Sequence, residues 1–336
     1  MSTRLAELTT LRLGGPANRV VEARTSAELV ESIRAADAEH EPVLIVGGGS
    51  NLVAADVGWP GVVVQVRTRG VDVENAGEHT SVTVAAGESW DGFVARTVQE
   101  GWSGLASMSG IPGLAGATPV QNVGAYGSEV AETITALQVY DRETAQSQQW
   151  TPEQCGFGFR TSAFKHTDRY IVLSVTFALR QSADSVPVRY AELARRLGVE
   201  PGDTAPSKDV RAMVLELRAS KGMVLDVADH DTWSVGSFFV NPFVEPEQAP
   251  ADCPQWTVDG RVKLSAAWLI ENAGFHRGYG LPGRVAVSTK HTLALTNRGQ
   301  ATTAELLELA REIRDGVELK FGIRLRPEGH LVGVTL

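Results

Sequence analysis

The sequence predicts an α+β protein of more than one domain, and three observations carry that expectation. At 336 residues the chain is long enough to bury two or three separate cores. Capped amphipathic helices recur between short apolar or alternating segments, a mixture of 3.6- and 2-residue periods. Two glycine-rich stretches, residues 47–49 and 101–127, interrupt the pattern and are too ordered in composition for simple linkers.

Taken in order, Thr25 and Glu28 have capping-box spacing, and Leu29, Val30, Ile33 and Ala36 form one apolar helical face. "PVLIVGGGSNLV" gives a short strand running into three glycines, and "VVVQV" gives another after Gly58-Trp59-Pro60-Gly61. This β-α-β-loop-β opening marks a small unit ending near residue 70. "VDVENAGEHTSVTVAAGESWDGFVARTVQEGW" is a strand pair followed by a helix from about Asp91 to Glu100. "ITALQVYDR" and "YIVLSVTFALR" are strands flanking "CGFGFRTSAFKH". "SKDVRAMVLELRASKG" is a helix with Val210, Met213, Val214 and Leu217 on one face. Between 223 and 320 lie "GSFFVNP", a helix in "SAAWLIENAG" stopped by Gly274, and "VAVSTKHTLALTN". Thr302 and Glu305 cap a last helix, and "FGIRLRPEGHLVGVTL" alternates like a strand.

A net charge of -9 argues against nucleic acid or an anionic membrane as the main partner, since both need a basic face. No run approaches the roughly 18 to 20 apolar residues of a membrane span, and the N-terminus lacks a signal's apolar core. A cytoplasmic protein is therefore expected. Cys155 and Cys253 lack CxxC spacing, so neither a disulfide framework nor a metal site is expected.

Gly47, Gly49 and the strand before them half match G-x-G-x-x-G, but Leu52 stands at the third glycine and a turn and strand follow. A dinucleotide fold needs a helix N-terminus there, so that reading fails. Two readings remain for this stretch: a tight turn, or an anion nest of exposed amides. The second stretch has glycine at 101, 104, 110, 113, 116, 124 and 127 and few large apolar residues. Small side chains over such a length suit a backbone laid against a large flat cofactor, and "PVQNVGAYG" adds groups for specific hydrogen bonds.

"VGGGSNL" and "GIPGLAGATPVQNVGAYG" resemble the UDP-N-acetylenolpyruvoylglucosamine reductase (UDP-N-acetylmuramate dehydrogenase) family, flavoenzymes of bacterial peptidoglycan precursor synthesis. The likeness continues in order through "FRTSAFK", "GSFFVNP", "SAAWLIENAGF" and "RPEGHLVG", and so spans nearly the whole chain. The resemblance implies a two-part FAD-binding module of the vanillyl-alcohol-oxidase/PCMH type. Subdomain 1 would cover residues 1–70, with 323–336 returning to the module, and subdomain 2 residues 71–222. A C-terminal α+β substrate-binding domain would cover 223–322. NADPH as hydride donor, a nucleotide-sugar substrate and a monomer are also implied. With no histidine from Gly47 to Leu52, the FAD is expected to be non-covalent. The implied flavin contacts are Gly47, Gly48, Gly49, Ser50 and Asn51, then Ser109, Gly110, Gly113, Gly116, Thr118, Asn122, Gly124, Ala125 and Tyr126.

In the implied reaction, hydride added at the enolpyruvyl methylene carbon leaves negative charge on the neighbouring carbon. That chemistry needs a clamp for the conjugated carboxylate and a proton donor on the opposite face. Arg160 suits the clamp, because its planar fork binds a carboxylate bidentately; an ordinary surface ion pair is its alternative. Glu328 matches the family's acid, although alone it reads as a solvated charge. Ser237, taken by itself, is either a strand residue bonding a local backbone group or a proton donor in a dry wall. The resemblance implies the donor, with Phe238 and Phe239 facing opposite ways if the run is a strand. Tyr190 and Lys221 are implied at the diphosphate or nucleotide end, and Asn241 at the substrate. His291 stands where many relatives carry glutamine, which opens a pH-dependent role. A sugar or alcohol oxidase of the wider flavin superfamily is the rival; it predicts fast reaction with oxygen and no need for Ser237.

Overall fold

The computed structural model describes residues 3–258 and 260–336. The chain forms two compact units that interleave along the sequence. One comprises residues 19–48 and 61–219; the other comprises the chain up to Asn18, residues 49–60 and residues 220–336.

In the first unit, the strands Ala17–Ala23, Trp59–Val66 and Val43–Val46 form a sheet in that spatial order. Val43–Val46 runs parallel to Trp59–Val66, with Val43 opposite Val62. Parallel neighbours need a crossover, and here residues 47–58 supply it without a helix. The helix Ser26–Ala38 starts where the Thr25 hydroxyl accepts from the Glu28 amide at 3.1 Å. It buries Leu29, Ile33 and Ala36. A second, antiparallel sheet has the order Gln146–Trp150, Ile134–Asp141, Tyr170–Gln181, His79–Ala85 and Val71–Ala76. The 12-residue strand Tyr170–Gln181 is its spine, paired on both edges. The helix Trp90–Gln99 lays Trp90 and Phe93 against Phe177 of that spine, with ring centroids 6.0 and 5.4 Å away. A separate cluster joins Val188 and Leu193 to Val210, Val214 and Leu217 of the helix Ser207–Ser220.

In the second unit, the helix Thr303–Phe321 carries the full Thr302–Glu305 capping box and buries Leu306, Leu309, Ala310, Ile313 and Val317. The Asp56 carboxylate accepts from the Thr303 and Ala304 amides at 2.9 Å each, negative charge placed at the positive end of the helix. The alternating tail forms a strand only over His330–Val332, which runs parallel to Leu52–Ala54. "GSFFVNP" is not a strand. Gly236 takes φ 76°, and Phe238 donates to the Leu293 carbonyl while its own carbonyl accepts from Glu328, two different neighbours. Phe238 and Phe239 therefore do not face opposite sides; both are buried in one core with their rings edge-on at 5.0 Å. Among the described residues no helix is long and apolar enough to cross a membrane.

Asp141 is buried beside Arg169, whose Nε and Nη2 donate to its two oxygens at 2.8 and 2.7 Å. That pair holds the carboxyl at about 2. A depressed carboxyl stabilises the fold above the unfolded value of about 3.9, and the contribution is lost as pH falls toward the folded value. Asp141→Asn is thus expected to lower the unfolding temperature at neutral pH, with the gap to wild type narrowing between pH of about 4 and about 2. Thermal unfolding followed by circular dichroism across this range checks it; a gap constant with pH would contradict it.

Candidate active site

The two glycine stretches meet within the first unit. A Cβ on Gly48 would come 2.7 Å from the Cα of Gly113, and a Cβ on Gly116 would come 2.4 Å from that of Ala86. Glycine at these positions lets two turns pack backbone to backbone. Gly110 and Gly113 also hold φ values of 71° and 120°. The amides of Gly47, Gly48 and Gly113 donate to no protein acceptor among the described residues. Such amides where two turns meet suit a phosphate or diphosphate, so the residues present fit that part of the expected FAD. The Gly110 amide is different, because it donates to Asp91 at 2.6 Å, and Arg211 binds the same carboxylate with both Nη groups. The Ser109 and Thr118 hydroxyls are buried and donate to Ala106 and Ala115 carbonyls at 2.7 and 2.8 Å, which leaves their oxygens as acceptors.

Arg160 belongs to the same unit, half-buried, with φ 53°. Its Nη2 donates to the Gly124 carbonyl at 2.7 Å and its Nη1 to that of Asn122 at 3.4 Å. Lys165 Nζ holds the Arg160 carbonyl at 2.7 Å. A Cβ on Gly124 would press on Ser128 O at 2.6 Å and Arg160 Nη1 at 3.2 Å, so glycine there leaves room for the guanidinium. Asn122 binds protein with both ends of its amide: Nδ2 to Glu129 and Gly158, Oδ1 from the Ala131 amide. Ala125 pairs with Ser128. Tyr126 meets Tyr190 edge-on at 5.4 Å, and Tyr190, 39% exposed, opens the helix Ala191–Leu197. Burial raises both phenols. Asn122, Tyr126 and Arg160 all hold positive φ, a concentration of strain in one small region.

The second unit brings together the segments that carry Ser237, His291 and Glu328. The Glu328 amide donates to the Phe238 carbonyl at 2.8 Å, and Phe239 bridges Pro327. The Phe238 amide donates to Leu293 at 2.8 Å, two residues after His291. His291 Nδ1 accepts from the Leu293 amide at 3.1 Å, so the neutral ring carries its proton on Nε2. Asn241 Oδ1 accepts from the Ala266 amide at 3.0 Å, which leaves its NH2 as the donor end. Lys221 directly follows the helix Ser207–Ser220. Gly49, Ser50 and Asn51 also fall in this unit: a Cβ on Gly49 would meet the Leu8 carbonyl at 1.9 Å, and the Asn51 carbonyl accepts from His330 at 2.8 Å. The expected site residues are thus divided between the two units.

Three features escaped the sequence. Arg218 is half-buried with its Nε shielded from solvent, and desolvation lowers its pKa despite the opposing influence of Tyr126 and Asp91. Its signal was faint: Arg211, Val214 and Arg218 share a helix face at i, i+3 and i+7. The hairpin after Asn241 stacks Arg261 on Phe243 and Lys263 on Trp256, at 5.4 and 5.5 Å, a pattern visible only once the register is known. Asp231 is the third, described below.

Gly48→Ala is expected to force the two turns apart, so that the purified protein retains several-fold less flavin and unfolds at lower temperature. The ratio of flavin to protein absorbance checks it, and full flavin retention would contradict the back-to-back turns as the cofactor's seat.

Residues 17–145 match the FAD binding domain family, and residues 228–332 match UDP-N-acetylenolpyruvoylglucosamine reductase, C-terminal domain. The chain is 54% identical to UDP-N-acetylenolpyruvoylglucosamine reductase of Salinispora arenicola (strain CNS-205), over 99% of the chain and 95% of the relative. It is 52% identical to that of Thermobifida fusca (strain YX), over 99% of the chain and 97% of the relative. The crystal structure of UDP-N-acetylenolpyruvylglucosamine reductase from Thermus caldophilus shares the fold, with a TM-score of 0.70 and 24% identity over 99% of this chain and 98% of that one. The architecture is therefore α+β, an FAD binding domain with the family's C-terminal domain. With relatives this similar along nearly its full length, the chain belongs to the UDP-N-acetylenolpyruvoylglucosamine reductase family, FAD-dependent oxidoreductases of peptidoglycan precursor synthesis.

Proposed function

We propose that the protein reduces the enolpyruvyl double bond of UDP-N-acetylglucosamine enolpyruvate with NADPH, yielding UDP-N-acetylmuramate. The observation that supports this is the backbone pairing that brings the segment after Ser237 to the segment of Glu328, the Phe238 carbonyl accepting from the Glu328 amide and Phe239 bridging Pro327. Bound FAD supplies a two-electron carrier between the nicotinamide and the enolpyruvyl carbon. The amides of Gly47, Gly48 and Gly113 cradle its diphosphate.

Arg160 holds the substrate carboxylate. Its guanidinium is fixed by the Gly124 carbonyl, and its planar fork pairs with the carboxylate as charge develops. Ser237 gives its hydroxyl proton to the carbon beside that carboxylate. A serine is a poor acid in water, so the step depends on prior placement and on the buried wall of Phe238 and Phe239. Glu328 works with Arg160 on the carboxylate side and stabilises the enolic intermediate. Tyr190 and Lys221 bind the diphosphate end, the Asn241 NH2 and His291 Nε2–H donate to substrate. Residues 1–70 with 323–336, residues 71–222 and residues 223–322 serve as the two flavin subdomains and the substrate domain. The protein acts as a cytoplasmic monomer.

Two variants test the roles anaerobically. Ser237→Ala is expected to leave flavin reduction by NADPH intact and to slow reoxidation by the enolpyruvyl substrate by roughly 100-fold or more. Equal slowing of both halves would sink the proton-donor role, and a reduced flavin that waits for air would favour an oxidase. Arg160→Ala should cost the enolpyruvyl half-reaction about 3 kcal/mol; near-normal turnover would refute the clamp.

A further inference from the structure

A buried carboxylate outside the assigned residues organises the second unit. Asp231 is 4% exposed. Its Oδ1 accepts from the Thr289 amide and from Arg298 Nη1, both at 2.8 Å, and its Oδ2 accepts from Thr289 Oγ1 at 2.5 Å. Next along both segments, Lys290 Nζ pairs with Asp229 at 2.5 Å, and Asp229 also accepts from the Asp231 amide at 2.9 Å. Two consecutive residues of the 288–293 turn are thus tied to the 229–231 turn.

The turn continues through hydrogen bonds of ordinary length. Ser288 Oγ accepts from the Lys290 and His291 amides at 3.0 and 3.2 Å, and His291 Nδ1 accepts from Leu293. The Leu293 carbonyl then accepts from the Phe238 amide, which belongs to the peptide bond of Ser237 itself. On its other side Asp231 abuts the residue after Lys221. A Cβ on Gly222 would lie 3.1 Å from the Asp231 carbonyl oxygen. The turn links two three-residue strands, Val285–Val287 and Leu295–Asn297, and closes on itself where the Ser288 amide donates to the Ala294 carbonyl at 2.8 Å.

We propose that Asp231 is a positioning residue for proton transfer: it fixes the 288–293 turn, whose Leu293 carbonyl in turn fixes the Ser237 peptide. The proposal rests on Ser237 being the proton donor. A buried ion pair is weak evidence of stability, because desolvation offsets much of the attraction. Holding one loop geometry is the use that fits this one, since two of the three bonds its carboxylate accepts come from Thr289 of the turn it joins.

The test uses the flavin-loaded enzyme, with the two half-reactions followed by flavin absorbance and the unfolding temperature measured alongside. Asp231→Ala is expected to slow reoxidation by the enolpyruvyl substrate by about tenfold to 100-fold, the loss typical of an ångström-scale misplacement, with reduction by NADPH unchanged. Asp231→Asn, which keeps an acceptor for the Thr289 amide, should recover part of that loss. The double variant with Ser237→Ala should be no slower than Ser237→Ala alone. Should Asp231→Ala fail to fold, Thr289→Val removes a single hydroxyl donor and should slow only the second half-reaction. Wild-type reoxidation, equal slowing of both halves with a lower unfolding temperature, or losses that multiply with Ser237→Ala would each overturn the proposal. Normal reoxidation by Ser237→Ala alone would overturn the proton-donor reading and this proposal with it. Slow reoxidation in Ser237→Ala but not in Asp231→Ala would remove only the role of Asp231.

Discussion

Burying Phe238 and Phe239 obliges the main chain around them to find protein partners, because an unpaired buried amide or carbonyl costs about 1–3 kcal/mol. The partners come from far along the chain. Leu293 takes the Phe238 amide, Glu328 supplies a donor to the Phe238 carbonyl, and the Val240 amide reaches the Arg326 carbonyl at 3.1 Å. Two segments, around Leu293 and 326–328, therefore converge on the run 238–240, and Ser237, His291 and Glu328 lie beside the residues that make these bonds. The tail goes on to pair with Leu52–Ala54, so the strand that follows the glycines and the residue after "RPEG" are set by one run of chain. These segments are positioned by backbone, which a change of side chain alone does not move.

The first unit reaches order by another route. Its glycine turns pack against each other through missing side chains, and the strained residues Asn122, Tyr126 and Arg160 are held by cross-links around them. Asn122 is the clearest case: its amide bonds Glu129, Gly158 and Ala131, and its carbonyl meets Arg160. A left-handed residue costs of order 1 kcal/mol or more, so such a backbone persists only where surrounding contacts over-determine it. The guanidinium is consequently held in one orientation by protein carbonyls. Under the proposed clamp role, that is the condition under which an electrostatic clamp lowers a barrier without first reorganising.

Much of this was legible in the sequence where the information is local. Helix faces repeat every three to four residues, and the Thr302–Glu305 box is two side chains answering each other across three positions. The central strands alternate because one face is buried. "GSFFVNP" misled for a physical reason: two adjacent aromatics suggest a strand with two faces, but its hydrogen bonds go to two different neighbours, so no ladder forms. The glycines were legible as a requirement and ambiguous as to its cause. Gly48 and Gly116 are demanded by chain packing, and the room for a ligand follows from the amides that packing leaves available. Asp231 could not have been found, since its partners Thr289 and Arg298 lie 58 and 67 residues away. Glu328 carried no chemical signal of its own; only the resemblance singled it out.

His291 shows how the fold can accept a different residue type without losing a role. Glutamine, expected there from the resemblance, offers one acceptor and one donor on a planar group. The imidazole reproduces both, because its Nδ1 takes the Leu293 amide and its proton is thereby confined to Nε2. The substitution is conservative only while the ring is neutral. A second proton on Nδ1 would face the Leu293 amide donor, and the Leu293 carbonyl is what holds the Ser237 peptide. In its neutral form, histidine at this position therefore keeps both hydrogen-bonding ends that glutamine would offer, on the turn whose Leu293 carbonyl accepts from the Phe238 amide.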